Sequence, residues 1–230
     1  MSRWKAVVFD LDDTLYPESD YVLSGFRVVA EWAEGKLGIP TEQGFAELKG
    51  LFERHVRGNT FDQWLNAHGG CANTYVTQLV QVYRNHLPTI KPFPEVPTTL
   101  AFLHQRYRLG IVSDGYRDVQ QRKLDALGIA PFFPAVVFSD EFGRDAWKPS
   151  VIPFNMVLSR LGAEPRSSVY VADNPIKDFF GARKIGMFTI QIQRPDGEYK
   201  NRMPPSPEYA PDCIITSLVE LENVLELVSR

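Results

Sequence analysis

The first apolar run, Lys5–Phe9, reads as a short buried strand, after which the pattern changes period. From Pro17 to about His86, apolar positions recur at three- and four-residue steps, as in Tyr21, Val22, Gly25, Phe26, Val28, Val29 and Trp32. That spacing predicts helices with one packed face. Ser19 stands where a cap belongs, and Gly38 with Pro40 where a helix would stop. Thr41 would cap a second helix running to near Gly58. Phe61, Trp64 and Leu65 fit a third, and Tyr75, Val76, Leu79, Val80 and Tyr83 a fourth. The proline-rich stretch Pro88–Pro97 ends this helical block and reads as a stiff return linker.

Beyond the linker, helices and apolar strands alternate. Helices near Pro97–Gln105, Asp118–Leu127, Val151–Leu161 and Ile176–Ile185 lead to strands at Arg108–Val112, Ala135–Phe138, Ser168–Ala172 and Met187–Ile192. A strand at Cys213–Ile215 and a last helix, Leu218–Val228, follow. Such alternation implies an α/β fold with a parallel sheet covered on both faces. The expected division is a core of residues 1–16 and 91–230 and a smaller α-helical domain of residues 17–90. Residues 194–211 form the one long stretch without periodicity, expected to be a mobile loop.

Composition narrows the function classes. With 44% hydrophobic and 23% charged residues, the chain suits an ordinary globule with a sizeable core. A net charge of −3 with scattered basic residues argues against a nucleic-acid partner. Cys71 and Cys213, the only cysteines, form neither a disulfide framework nor a CxxC pair. The opening MSRWKAVVFD has too short an apolar stretch for a signal peptide, and no run approaches the length of a membrane span. A cytoplasmic, reduced setting without membrane contact is therefore expected. The four histidines show no ligand spacing.

The candidate chemistry sits at the ends of the strands, where parallel sheets bind ligands. Three stretches should converge there: Asp10–Thr14 (DLDDT), Ser113–Gly115 (SDG) and Ala172–Asp178 (ADNPIKD). A fourth, Trp147–Ser150 (WKPS), precedes a helix on the same edge. Crowded carboxylates are unfavourable unless a cation neutralises them or protons are shared. With no histidine or cysteine in the set, the all-oxygen inventory suits magnesium, and magnesium suits a phosphate ligand. Ser113, nearby backbone N–H groups and Lys148 would hold phosphate oxygens. Of Asp10 and Asp12, one would attack phosphorus and the other carry the proton. The proton carrier is expected to have a raised pKa, supplied by a neighbouring carboxylate and partial burial.

These four stretches, in this order, resemble the haloacid dehalogenase-like hydrolase superfamily, in its subfamily I with a C1-type helical cap. The family's DxDxT is matched by Asp10–Thr14, its Ser/Thr by Ser113, its lysine by Lys148-Pro149, and its acidic pair by Asp173 and Asp178. The resemblance implies a Rossmann-like, doubly wound parallel sheet and a helical cap that selects the substrate. It makes Asp10 the nucleophile that forms an aspartyl-phosphate, and Asp12 the general acid/base. Ser113, Asp114 and Lys148 become the phosphate-binding set, although relatives often carry asparagine where Asp114 stands. Asp10, Asp173, Asp178 and the Asp12 main-chain carbonyl become the magnesium ligands. The implied activity is a magnesium-dependent phosphatase acting on a small phosphorylated metabolite, with a sugar phosphate favoured. A phosphomutase or other phosphotransferase, and a binding module of little activity, are the alternatives. Dehalogenation needs neither Asp12 nor the Asp173/Asp178 pair. The oligomeric state, monomer or homodimer, stays open.

Overall fold

The computed structural model describes residues 3–69 and 72–228, so Cys71 lies outside the described residues. The chain divides into two compact units, Met1–Glu18 with Lys91–Arg230, and Ser19–Ile90.

Strand β1 (Ala6–Phe9) is followed by four helices: α1 (Glu18–Leu37), α2 (Thr41–Glu53), α3 (Thr60–Ala67) and α4 (Ala72–Asn85). Phe26, Val29, Leu48, Trp64 and Leu79 form the buried centre of the 19–90 unit, as the three- and four-residue spacing requires. Helix α1 starts at Glu18 rather than behind a Ser19 cap, because Asp13 Oδ1 accepts the Glu18 N–H at 2.8 Å. Helix α2 stops at Glu53, short of Gly58. His55, with φ of 58°, takes the left-handed conformation that a helix cannot continue through.

The larger unit continues with α5 (Val96–His104), β2 (Arg108–Ser113), α6 (Arg117–Leu127), β3 (Ala135–Phe138), α7 (Ile152–Leu161) and β4 (Ser168–Ala172). Then come α8 (Asp178–Ile185), β5 (Phe188–Ile192), β6 (Cys213–Ile215) and α9 (Leu221–Leu227). The six strands form one sheet in the order β3-β2-β1-β4-β5-β6, every neighbouring pair parallel. This is the parallel sheet expected from the alternation, in the doubly wound order that the family resemblance implies. Ala6, Val8, Tyr170 and Ala172 line one face and pack with Phe154, Val157 and Leu161 of α7 and Phe179 and Ala182 of α8.

Two further helix starts differ from expectation. Helix α8 begins at Asp178, not Ile176. The Asp178 carboxylate accepts the Asn174 N–H (2.9 Å) and the Asn174 side chain accepts the Ile176 N–H (3.0 Å), which holds residues 174–177 in a turn. The last helix opens as a 3-10 turn, Leu218–Glu220, capped by Ser217 and Glu220. Among the described residues, no helix is long and apolar enough to cross a membrane.

Candidate active site

Strand β1 lies between β2 and β4, so the strand order reverses there, where open α/β sheets form their ligand crevice. Phe9 is in register with Ile111 and Val171. The next N–H, of Asp10, still donates to the Val171 carbonyl at 2.9 Å, fixing Asp10 at the end of the ladder. Asp173 follows β4 directly, and Asp178 is the first residue of α8.

This placement brings three buried carboxylates together. Oxygen atoms of Asp10, Asp173 and Asp178 all lie within 4.8 Å of one another. Lys148, from the segment between β3 and α7, is buried among them. Its Nζ is 2.6 Å from Asp10 Oδ1, 2.8 Å from Asp178 Oδ1 and 3.1 Å from the Tyr170 hydroxyl. Fully ionised, three carboxylates against one ammonium would leave two negative charges. Burial pushes the Asp10 carboxyl up, Lys148 pulls it down and Asp178 pushes it up again, to about 7. Burial and the charges of Asp178 and Asp10 push Asp173 well above the usual carboxylate range. Burial opposes charge on Lys148, but Asp10 and Asp178 hold its ammonium protonated well above the ordinary value. Among the described residues, Asp173 Oδ2 is buried without a hydrogen-bond partner. A divalent cation bound by oxygen would supply both the missing partner and the missing charge, so the residues fit a hard metal ion.

Asp12 faces a different environment. Its Oδ1 lies 2.7 Å from Lys123 Nζ and accepts the Tyr16 hydroxyl, while Oδ2 accepts from Gln120 Nε2 at 2.9 Å. Burial alone would raise this carboxyl, but the Lys123 charge and the hydrogen bonds from Lys123, Tyr16 and Gln120 outweigh it and hold Asp12 below its usual value. The expected raised pKa is therefore not found. The lysine on α6, absent from the sequence reading, reverses the sign. Ser113, at the end of β2, is joined to Asp12 through Gln120, whose Nε2 lies 2.6 Å from Ser113 Oγ. Asp114 accepts the Lys148 N–H at 3.1 Å and pairs with Lys177 Nζ at 2.9 Å. Burial opposes it, but Lys148 and Lys177 keep Asp114 below its ordinary value. The Asp13 carboxylate accepts N–H bonds from Glu18 and Glu198, a structural duty.

The structure thus gathers Asp10, Lys148, Asp173 and Asp178 around one point. It links Asp12 to Ser113, and sets Asp114 against Lys177. Tyr16, two residues beyond the DLDDT stretch, is fully buried and donates to Asp12. Gln120, Lys123, Lys177 and Tyr170 were not singled out from the sequence. A signal existed for two of them: Gln120 and Lys123 occupy the inward stripe of α6, at helical spacing with the buried Leu124 and Leu127. A polar pair in an apolar stripe marks a buried partner.

Comparison with known proteins shows the family. The family model described as haloacid dehalogenase-like hydrolase matches residues 7–192. The chain is 32% identical to a glyceraldehyde 3-phosphate phosphatase of Methanopyrus kandleri, over 98% of this chain and 99% of that one. It is 28% identical to a phosphoserine phosphatase of Thermus thermophilus, over 94% and 97%. A subfamily IA hydrolase from Geobacter sulfurreducens shares the fold with a TM-score of 0.73, at 18% identity over 97% of each chain.

Proposed function

We infer that this chain, which belongs to the haloacid dehalogenase-like hydrolases, is a magnesium-dependent phosphatase of small phosphomonoesters that works through an aspartyl-phosphate on Asp10. The observation that carries the reading is the buried meeting of Asp10, Asp173 and Asp178 around Lys148, with Asp173 Oδ2 unpartnered. Asp10 would attack phosphorus, and the leaving alcohol oxygen would take a proton from Asp12 after that carboxylate had picked one up from solvent on substrate binding. Water then cleaves the acyl phosphate, with Asp12 as its base, a role that suits the ionised state of Asp12 in the free protein. Ser113 and Lys148 would hold the transferring group, and Asp114 would anchor that set through the Lys148 main chain. Magnesium, held by Asp10, Asp173, Asp178 and the Asp12 carbonyl, would neutralise phosphoryl charge and orient the transferring group.

The relatives' names, phosphatases of glyceraldehyde 3-phosphate and of phosphoserine, support a small substrate such as a short sugar phosphate. The helical unit Ser19–Ile90 is read as the cap that selects it. The test is phosphate release from glyceraldehyde 3-phosphate, phosphoserine and phosphoglycolate, with magnesium and with a chelator. Release that requires magnesium and disappears in Asp10→Asn is expected. No turnover of these or of a wider set of phosphomonoesters by folded, magnesium-supplied protein overturns the reading. Phosphate retained on an isomeric product would instead indicate a phosphomutase.

A further inference from the structure

We propose that Gln120 is a positioning residue that sets the hydrogen-bond polarity of Ser113 and the rotamer of Asp12 together, so that the serine hydroxyl is held as a donor toward a tetrahedral oxyanion. The proposal rests on the reading of Ser113 as a phosphate-binding group and Asp12 as the acid/base.

Gln120 is 1% exposed and projects from the inward stripe of α6. Its Nε2 is within 2.9 Å of Asp12 Oδ2 and 2.6 Å of Ser113 Oγ. Asp12, paired with Lys123, can only accept, so the amide nitrogen rather than the oxygen must face it. The second hydrogen of the same nitrogen then points at Ser113 Oγ, which becomes an acceptor there. The Asp114 carbonyl lies 3.5 Å from Ser113 Oγ, longer than an ordinary O–H···O bond. The Ser113 proton is therefore left for an incoming oxyanion. An unoriented serine hydroxyl offers a lone pair as readily as a proton, and a lone pair repels phosphate.

The backbone beside the amide carries a second sign of the same arrangement. Gly115 has φ of 121°, and a Cβ there would lie 3.1 Å from Gln120 Cδ and 3.3 Å from Oε1. The glycine in SDG leaves the space that the amide fills. Lys123, one turn along α6, fixes the other oxygen of Asp12 from the same helix face.

A double-mutant cycle tests this. Binding of tungstate, a tetrahedral dianion, is measured by calorimetry in magnesium for the wild type, Ser113→Ala, Gln120→Met and the double variant. Ser113→Ala is expected to weaken tungstate by about tenfold, the loss of one hydrogen bond to a charged group. Gln120→Met should weaken it several-fold, and the double variant should be no weaker than Ser113→Ala. In turnover, Gln120→Met should lower kcat and raise KM in the wild type, but lower kcat alone in the Ser113→Ala background, where only Asp12 remains to be misplaced. The isosteric Gln120→Glu keeps the side-chain volume. It should weaken tungstate more than Gln120→Met, because a carboxylate takes the serine proton. Additive losses in the cycle overturn the proposal, as does wild-type affinity in Gln120→Glu. Should the wild type itself bind no tungstate, the phosphatase reading falls first and this inference with it.

Discussion

Lys148 Nζ lies 2.6 Å from Asp10 Oδ1, with side-chain exposures of 0% and 7%, so this ion pair is made almost without water. The same ammonium is 2.8 Å from Asp178 Oδ1. Removing one partner of a buried pair leaves uncompensated charge and costs about 3–5 kcal/mol. Lys148→Met should therefore lower the melting temperature of the metal-free protein and abolish turnover. Magnesium should restore more stability to the variant than to the wild type, because the variant's site holds one more net negative charge. Thermal unfolding of both proteins with magnesium and with chelator checks this. An equal magnesium-induced shift in the two would contradict it.

The pH dependence of the metal-free protein follows from Asp10. Its carboxyl rises from 3.8 to about 7 on folding, pushed up by burial first, with Lys148 opposing. A raised folded pKa means that the native state binds the proton more tightly than the unfolded chain does. Stability is then highest below about pH 4 as far as this group is concerned, and falls as pH rises toward 7. The loss is on the order of a few kcal/mol. Glu18, raised to about 7 by burial and by Asp12, adds a loss of the same sign. Asp12, held low, contributes in the opposite sense and only below its ordinary value. Denaturant midpoints at pH 5 and pH 8 in chelator should differ, with the lower at pH 8. With magnesium, which favours the ionised carboxylates, the difference should shrink. An unchanged difference would remove the metal from this cluster.

Asp12→Asn separates proton transfer from metal binding. The substitution removes the charge that faces Lys123 but none of the oxygens of Asp10, Asp173 and Asp178. Turnover should fall by about 10²–10⁴-fold, the range of general acid–base effects. Calorimetric magnesium affinity should stay within a few-fold of wild type. A collapse of magnesium affinity would show that the Asp12 side chain, and not only its main-chain carbonyl, acts in the metal cluster.

The strands were legible because each is a short apolar run between helical stretches. Ala135–Phe138, Ser168–Ala172 and Cys213–Ile215 form the strands read from the pattern alone. Asp10, Lys148, Asp173 and Asp178 were legible because they follow such runs or precede a helix on the same edge. The partners of Asp12 were hidden for a topological reason. Gln120 lies 108 positions away and Lys123 lies 111, and neither belongs to a local motif. Only the sheet register that sets α6 beside the end of β1 brings them together. The sign of the Asp12 shift depends on that meeting, so neighbouring carboxylates alone gave the wrong direction. Helix starts at Glu18 and Asp178 moved for a related reason, since side-chain oxygens captured backbone N–H groups that periodicity does not register.

Two glycine substitutions should have opposite outcomes. Gly181 lies on α8, three residues after Asp178, where a Cβ would come 2.5 Å from the Pro149 carbonyl oxygen and 2.7 Å from that of Ser150. Those are main-chain atoms directly after Lys148, so they cannot rotate aside. Gly181→Ala must push α8 from the 148–150 segment, lengthening the distance from Asp178 to Lys148. Overpacking of this kind costs about 1–3 kcal/mol. The accompanying shift should lower kcat and magnesium affinity along with the melting temperature. Gly35, on the exposed side of α1, has nothing within 4 Å of where a Cβ would stand. Gly35→Ala should stabilise the protein by about 0.5–1 kcal/mol, since alanine loses less backbone freedom in a helix. Its turnover should match wild type. Calorimetric unfolding and steady-state kinetics on the two variants decide the matter. A Gly181→Ala protein with normal magnesium affinity would mean that the contact between α8 and the 148–150 segment does not set the geometry of the carboxylate cluster.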